Sequence, residues 1–360
     1  MLVHICCSVD SHYFLERLQR DFPDEKLVGY FYDPNIHPYS EYRLRLLDVQ
    51  RTCKKLGIEL IEGDYDYESW LQTVNGFENE PEKGKRCEIC FDNRLESTVH
   101  KAIELDENLF TTTLLISPLK SQKQLLQSGN ELQSKFKVEF IFKDYRSGGG
   151  VEKQNLIAKS EKLYRQNYCG CFLALDKQRE SQEKLADELI SDIHNRVLPE
   201  SIEERLNLYE RRVKLEESGQ DYTIIKDSFL NYRLLKASIT IKKRVIPSHF
   251  LFYSHSERKI IKGRIDEVLN GVGYLNRDGV KLIELQLINR VLNREYSSVN
   301  QLLKNPPTVE EEAVLREYIS HNRGFSLSII VVVDMIPEDK IEIDINSRVY
   351  QDIREILIEK

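Results

Sequence analysis

No run of about 18 apolar residues occurs in this 360-residue chain, so nothing in it reads as a membrane span. The longest apolar run, 329–333, has the length of a buried strand. The opening MLVHICC has neither the charged region nor the apolar core of a secretory signal, and the cytoplasm is the expected location. Positive charge is not in excess: 52 Lys and Arg stand against 59 Asp and Glu, a net charge of −7. That argues against a nonspecific nucleic-acid binder, although a local basic patch can still meet phosphates. Internal repeats and low-complexity tracts are absent. With 41% hydrophobic and 31% charged residues, the chain describes a globular protein long enough for a large core or two domains. Cysteine is also scarce, with seven in all.

Six of those seven cysteines form three tight pairs: Cys6-Cys7, Cys87 and Cys90 in a C-x-x-C, and Cys169-Gly170-Cys171. Cys53 falls alone within a helical stretch and reads as a small buried hydrophobe. A reducing compartment disfavours disulfides, so clustered thiols point to metal binding or catalysis. A C-x-x-C on a turn entering a helix aims both sulfurs at one centre, a geometry common to zinc and iron–sulfur sites. Gly170 permits a positive φ that turns both flanking thiols to one side. The adjacent side chains of Cys6 and Cys7 diverge, which suits two neighbouring centres better than one chelated ion. Asp10 adds an oxygen ligand if the loop turns into a helix there.

Apolar stretches at 2–6, 26–32, 58–61, 110–115 and 138–142 read as strands. Between them, 11–22 (capped by Ser11), 39–56 (stopped by Gly57) and 121–136 read as helices. The alternation predicts an α/β fold with a mainly parallel sheet, whose ligands bind outside the carboxyl ends of the strands. Cys6-Cys7, the proline-broken loop from Asp33 to His37, and Ser117 to Lys120 all follow strands and should meet at one mouth. A charged helical stretch, 179–217, follows. Strands at 238–245, 250–253, 326–334 and 340–345 and a helix at 309–320 then describe a second, α+β domain. The expected division is 1–178, a catalytic domain; 179–218, a helical connector; and 219–360, an accessory domain.

HICCSVD, DPNIHP, YDYESW, EPEKGKRCEICFDNRLEST, FTTTLLISPLK and YRQNYCGC run colinearly over about the first 175 residues. In this series the chain resembles the cobalamin-independent epoxyqueuosine reductase family (QueH type). The resemblance implies that the parallel-sheet domain has the nucleotide α-hydrolase (HUP-like) fold. It implies reduction of epoxyqueuosine to queuosine at the wobble position of tRNAs with a G-U-N anticodon (those for Tyr, His, Asn and Asp), the last step of queuosine synthesis. It further implies a 4Fe–4S cluster beside a second, mononuclear iron, with Cys6, Cys7, Cys87, Cys90, Cys169, Cys171 and Asp10 as ligands. The split between the two centres stays open. An external electron donor is required; cobalamin and a membrane partner are not.

Removing an epoxide oxygen to leave an alkene takes two electrons and two protons. Side chains do not supply the electrons, so a metal cofactor must; iron with an open position also acts as a Lewis acid. His37 is the first candidate proton donor, its ordinary pKa being near 6.5; Tyr32, Asp33 and Tyr168 follow. A flipped nucleotide would stack on Trp70, Tyr39, Tyr42 or Tyr145. Lys120 and Arg165, ahead of Arg43 and Arg146, would meet phosphate or base. An ATP loop of the Ser-Gly-Gly-x-Asp-Ser type is absent after the first strand, where Cys-Cys stands, so ATP use is not expected. Gly148-Gly149-Gly150 lacks the spacing of a phosphate-cradling motif. The competing readings are an iron–sulfur tRNA thiolation enzyme, which should need ATP, and a zinc-stabilised RNA-binding module. In the second half, Arg233, Lys236, Lys242, Lys243, Arg244, Arg258, Lys259, Lys262 and Arg264 interleave with Phe250, Phe252 and Tyr253. That pattern suits RNA; a solvated strand face over core aromatics would look the same.

Overall fold

The apolar start of the chain forms β1 (Leu2–His4), the middle strand of a five-stranded sheet whose pairings are all parallel. The structure is a computed structural model and describes residues 1–118, 120–190, 196–321 and 325–360. After β1 come α1 (Ser8–Asp21), β2 (Val28–Phe31), α2 (Tyr39–Leu56), β3 (Glu59–Glu62), α3 (Tyr67–Thr73) and α4 (Lys85–Glu104). Then follow β4 (Leu109–Thr112), α5 (Gln122–Phe136), β5 (Glu139–Phe140), α6 (Gly150–Ser160), α7 (Phe172–Ser181) and α8 (Ile202–Ser218). The strand order β3-β2-β1-β4-β5 reverses direction at β1, so the crevice outside β1 and β4 is the topological switch point. Helices cover both faces, which is why β1 is buried throughout and reads as a continuous apolar run. Leu2, Val3, Phe14, Leu18, Phe31, Val49, Leu95 and Phe110 belong to one core.

Local signals place most boundaries. Gly57 closes α2 at φ 67°, and Ser121 caps α5 by accepting from the Gln124 N–H. Three expectations need correction. The first helix starts earlier than Ser11: Cys7 is its extended N-cap residue, and the Ser11 hydroxyl donates back to the Ser8 carbonyl at 3.1 Å. The strand expected over 110–115 ends at Thr112, where the chain tightens into a 3-10 turn, Thr113–Leu115. The charged stretch expected to be a separate connector contributes a helix, α8, that from Arg205 onward belongs to the first unit. The chain divides into one unit of Met1–Leu189, Arg205–Ile224 and Leu357–Lys360, and a second of Ile190–Glu204 and Ile225–Ile356.

The second unit is α+β. Its elements are β6 (Tyr222–Ile241, beginning in the first unit), β7 (Arg244–Ile246), β8 (His249–Phe250), β9 (Ile260–Gly263), β10 (Glu267–Leu269), β11 (Val272–Leu275) and β12 (Val280–Glu284). They are followed by α9 (Leu285–Leu292), α10 (Val299–Lys304), α11 (Val309–Ile319), β13 (Ile330–Val333) and β14 (Ile341–Glu359). The strands form a mixed sheet, β10-β11-β12-β13-β8, and a second, β7-β6-β14-β9. The strand expected at 238–245 is the tail of the 20-residue β6 and the start of β7; that expected at 340–345 opens the 19-residue β14. Thr308 caps α11 in a reciprocal capping box with Glu311. Among the described residues, no helix is long and apolar enough to cross a membrane.

Candidate metal and substrate site

All three cysteine pairs sit at helix starts. Cys7 is the N-cap residue of α1, Cys87 is the third residue of α4, and Cys171 is the N-cap residue of α7. Helix N-termini present positive partial charge, yet hydrogen bonds to Cys6 and Cys169, with burial, hold the Cys7 and Cys171 thiols above their ordinary range. Gly170 has φ 101°, as the Cys-Gly-Cys spacing requires, and a Cβ there would lie 2.8 Å from Ile36 Cγ1. The loop after β2 is laced to this turn: the His37 N–H donates to the Gly170 carbonyl at 2.9 Å, and the Tyr168 hydroxyl donates to the His37 carbonyl at 2.6 Å.

The thiols line two neighbouring cavities. The smaller is bounded by Cys87, Cys90, Cys169 and Cys171 with Trp70, Arg86, Arg94 and Lys120. The larger, about 290 Å³, is lined by Cys6, Asp10, Asp33, Arg45, Arg94, Ser117, Lys120, Gln154, Arg165, Tyr168 and Cys169, among others. Cys169, Arg94 and Lys120 border both. Beside the larger cavity, the ligand atoms of Cys6, Cys7 and Asp10 lie within 4.8 Å of one another. Cys6 Sγ is 3.8 Å from Cys7 Sγ and 3.9 Å from Asp10 Oδ2. Four convergent thiols suit an iron–sulfur cluster or zinc, and two thiols with a carboxylate suit a single transition-metal ion. By residue type both donor sets suit the metals that the family resemblance implies, and among the described residues Cys6, Cys7 and Asp10 are the group whose ligand atoms already lie close enough to share one ion.

Cations surround these thiols. Burial pushes the thiols of Cys87 and Cys90 up, against the backbone N–H of Lys83 at Cys87 and against Arg94 and the Trp70 indole at Cys90. A hydrogen bond from Cys171 holds Cys169 well below the ordinary thiol range; burial opposes it and Lys120 reinforces it. Burial works to lower Lys120, but Cys169 and Cys87 outweigh it and the ammonium is held. Burial raises Asp33 to about 6, against Arg94, Arg45 and Lys120. Its Oδ1 accepts from Arg94, while its buried Oδ2 has no partner.

Of the expected site residues, the six paired cysteines, Asp10, Asp33, Lys120, Arg165 and Tyr168 are at or beside these cavities. Arg165 hydrogen-bonds Asn155 at the rim. His37 stands apart from both cavity linings: its ring stacks on Tyr67 at 4.8 Å and abuts Phe172. Trp70 lines the four-thiol cavity at 1% exposure, so its ring has no free face for a base. Tyr42 is equally buried, and the Tyr145 hydroxyl donates to Asp21. Arg94 and Arg45 are not singled out by the sequence. For Arg94 a signal existed: Cys87, Cys90 and Arg94 recur at i, i+3 and i+7, one face of α4. Arg45 had none; it reaches the site by donating to the Tyr168 and Cys169 carbonyls, 123 and 124 residues away.

In the second unit four of the nine basic residues of the stretch are ion-paired. Lys242 pairs with Asp339, Lys262 with Glu342, Arg258 with Asp278 and Lys236 with Asp344. Arg233 is buried and donates to the Tyr232 and Pro199 carbonyls.

The fold and site together define a doubly wound α/β domain with a cysteine-rich, cation-lined pocket at its switch point. Residues 1–177 match the family described as Epoxyqueuosine reductase QueH. Epoxyqueuosine reductase QueH of Helicobacter pylori is 40% identical over 96% of this chain and 97% of its own. That of Histophilus somni is 38% identical over 49% of this chain and 72% of its own. The Thermotoga maritima relative is 33% identical over 52% of this chain and 95% of its own. This chain belongs to the epoxyqueuosine reductase QueH family and is an oxidoreductase.

Proposed function

We propose that this chain reduces the epoxide of epoxyqueuosine to the alkene of queuosine at the wobble position of tRNAs with a G-U-N anticodon. In this reading Cys87, Cys90, Cys169 and Cys171 hold a 4Fe–4S cluster, and Cys6, Cys7 and Asp10 hold a second iron. The observation that carries it is Cys169, which borders both cavities and so makes the two donor sets neighbours. When bound, such centres supply the two electrons and a Lewis acid for the leaving oxygen. The larger cavity, of a volume to take one base with its substituent, receives the flipped nucleotide. Lys120 and Arg165 offer it cationic donors. Asp33 takes the proton-donor role ahead of His37: its Oδ2 is unpartnered and its pKa of about 6 lets it carry a proton in mildly acidic solution. His37 then braces the loop that holds the Cys169 turn. Catalysis lies in the first unit; the second is an accessory RNA-holding domain, and its exposed Lys243, Arg244, Lys259 and Arg264 carry that part.

Purified without oxygen, the protein should be brown, with broad absorption near roughly 400 nm that Cys87→Ser removes. A colourless protein holding one zinc would overturn the reading. The deciding assay is conversion of epoxyqueuosine in tRNA by a strong reductant, without cobalamin or ATP.

A further inference from the structure

The larger cavity is rich in donors, with Lys120, Arg45, Arg94 and Arg165 in its wall. Among its lining residues three buried acceptors have no partner, Asp33 Oδ2, Gln166 Oε1 and Gln154 Oε1, the last on α6 beside Asp10. Gln154 is 3% exposed. Its Nε2 donates to the Val9 carbonyl at 3.1 Å and to Asp10 Oδ1 at 2.7 Å. Both partners are acceptors only, so both amide protons are used and the amide has one possible orientation. Its Oε1 is left buried without a partner. A buried acceptor in that state costs free energy until a donor arrives.

From this geometry we infer that Gln154 is a two-ended positioning residue, which aims Asp10 with its Nε2 and accepts a hydrogen bond from a substrate hydroxyl or N–H with its Oε1. This rests on the functional reading above. By occupying Asp10 Oδ1, the amide leaves Oδ2 directed to Cys6, at 3.9 Å. Ligands fixed in this way hold their metal more tightly, and losing such a partner weakens binding about 10- to 100-fold. At its other end the amide answers a substrate that carries donors as well as acceptors, as a hydroxylated ring on a base does. The donor-rich wall leaves such a group few places to go.

The test uses the full chain, loaded anaerobically with iron and sulfide. Gln154→Leu removes both ends of the amide. Gln154→Glu keeps an acceptor but loses the donor to Asp10 and sets a second carboxylate against it. Both variants should keep the absorption near roughly 400 nm that reports the four-thiol centre. In both, chelator competition should show iron(II) beyond that centre held at least tenfold more weakly. Binding of the epoxyqueuosine nucleoside, measured without reductant, should weaken about tenfold in Gln154→Leu and be retained in Gln154→Glu. An unchanged iron(II) affinity in both variants, or unchanged nucleoside binding in Gln154→Leu, overturns the inference. If Gln154→Leu does not fold, Gln154→Glu decides it through the iron(II) measurement. A wild-type protein that takes up no iron beyond the cluster, or converts no epoxyqueuosine, defeats the functional reading instead.

Discussion

Asp33 shows how one side chain can be tied and free at once. Oδ1 is held by Arg94, and Oδ2 faces no partner. With its pKa raised to about 6 by burial, the proton is present below that value and lost above it. If Asp33 donates that proton, turnover falls as pH rises through about 6. In Asp33→Asn that fall should vanish from the pH profile, and kcat should drop about 100-fold or more. His37→Gln should leave the profile unchanged, because the His37 ring lies outside both cavity linings. Sequence named Asp33 as a proton-donor candidate behind His37; its burial and its Arg94 partner, which come from a helix 61 residues away, were not legible in it.

At the scale of elements, the start of α6 depends on one glycine. A Cβ on Gly150 would lie 1.7 Å from the Tyr145 carbonyl oxygen, so Gly150→Ala must push the helix that carries Gln154 off its seat. Thermal unfolding should show a loss of about 3 kcal/mol, whereas Gly148→Ala, with open space but φ 62°, should lose about 1 kcal/mol. The triglycine thus serves packing, and its spacing already argued against a phosphate loop. Helix α8 is fastened by buried charge. Arg212 donates to Asp48 at 2.5 Å and to the Lys162 carbonyl at 2.8 Å, with both Arg212 and Asp48 fully buried. Asp48 also accepts from Ser8, next to Cys7, and from the Tyr164 N–H. Arg212→Ala takes from the buried Asp48 its ion-pair partner, and denaturant unfolding should show a loss of about 3–5 kcal/mol. Nearby, Arg51 holds Glu216 through two bonds of 2.7 Å, and although burial opposes it the carboxyl falls to about 2. A carboxyl lowered in the folded state stabilises above its unfolded pKa of about 4.3. That stability should drain away as pH falls from there towards 2, and Glu216→Gln should flatten the loss.

For the whole molecule, the boundary of the first unit differs from the end of the family match at 177. Cutting at residue 181 would strip α8 from Asp48 and unfold the first unit or lower its stability markedly. Excising 225–356 and joining Ile224 to Leu357 keeps α8 and the closing segment, whose Lys360 N–H reaches the Asp221 carbonyl at 2.9 Å. The excised protein should fold and retain its absorption near roughly 400 nm. If the second unit holds tRNA, excision should weaken tRNA binding and flatten its dependence on salt. Equal affinity and salt slope in both proteins would remove that role. With Lys236, Lys242, Lys262 and Arg258 already paired, the slope lost should be smaller than the count of basic residues suggests.

Sequence alone determined the three cysteine pairs, the alternation of strands and helices, the stop at Gly57 and the turn at Gly170. Each is written in local spacing and turn chemistry, which a linear reading can follow. Only tertiary structure decided that Cys169 borders both cavities, that Trp70 is buried beside four thiols, that basic residues of the second half meet acids, and that α8 belongs with the first unit. Those outcomes depend on burial and on partners tens to hundreds of residues apart, and neither is encoded in the residues that flank them. The pairs at Cys6, Cys87 and Cys169 were visible from the start; that they open on two neighbouring cavities emerged only when three helix N-termini met at the switch point of the sheet.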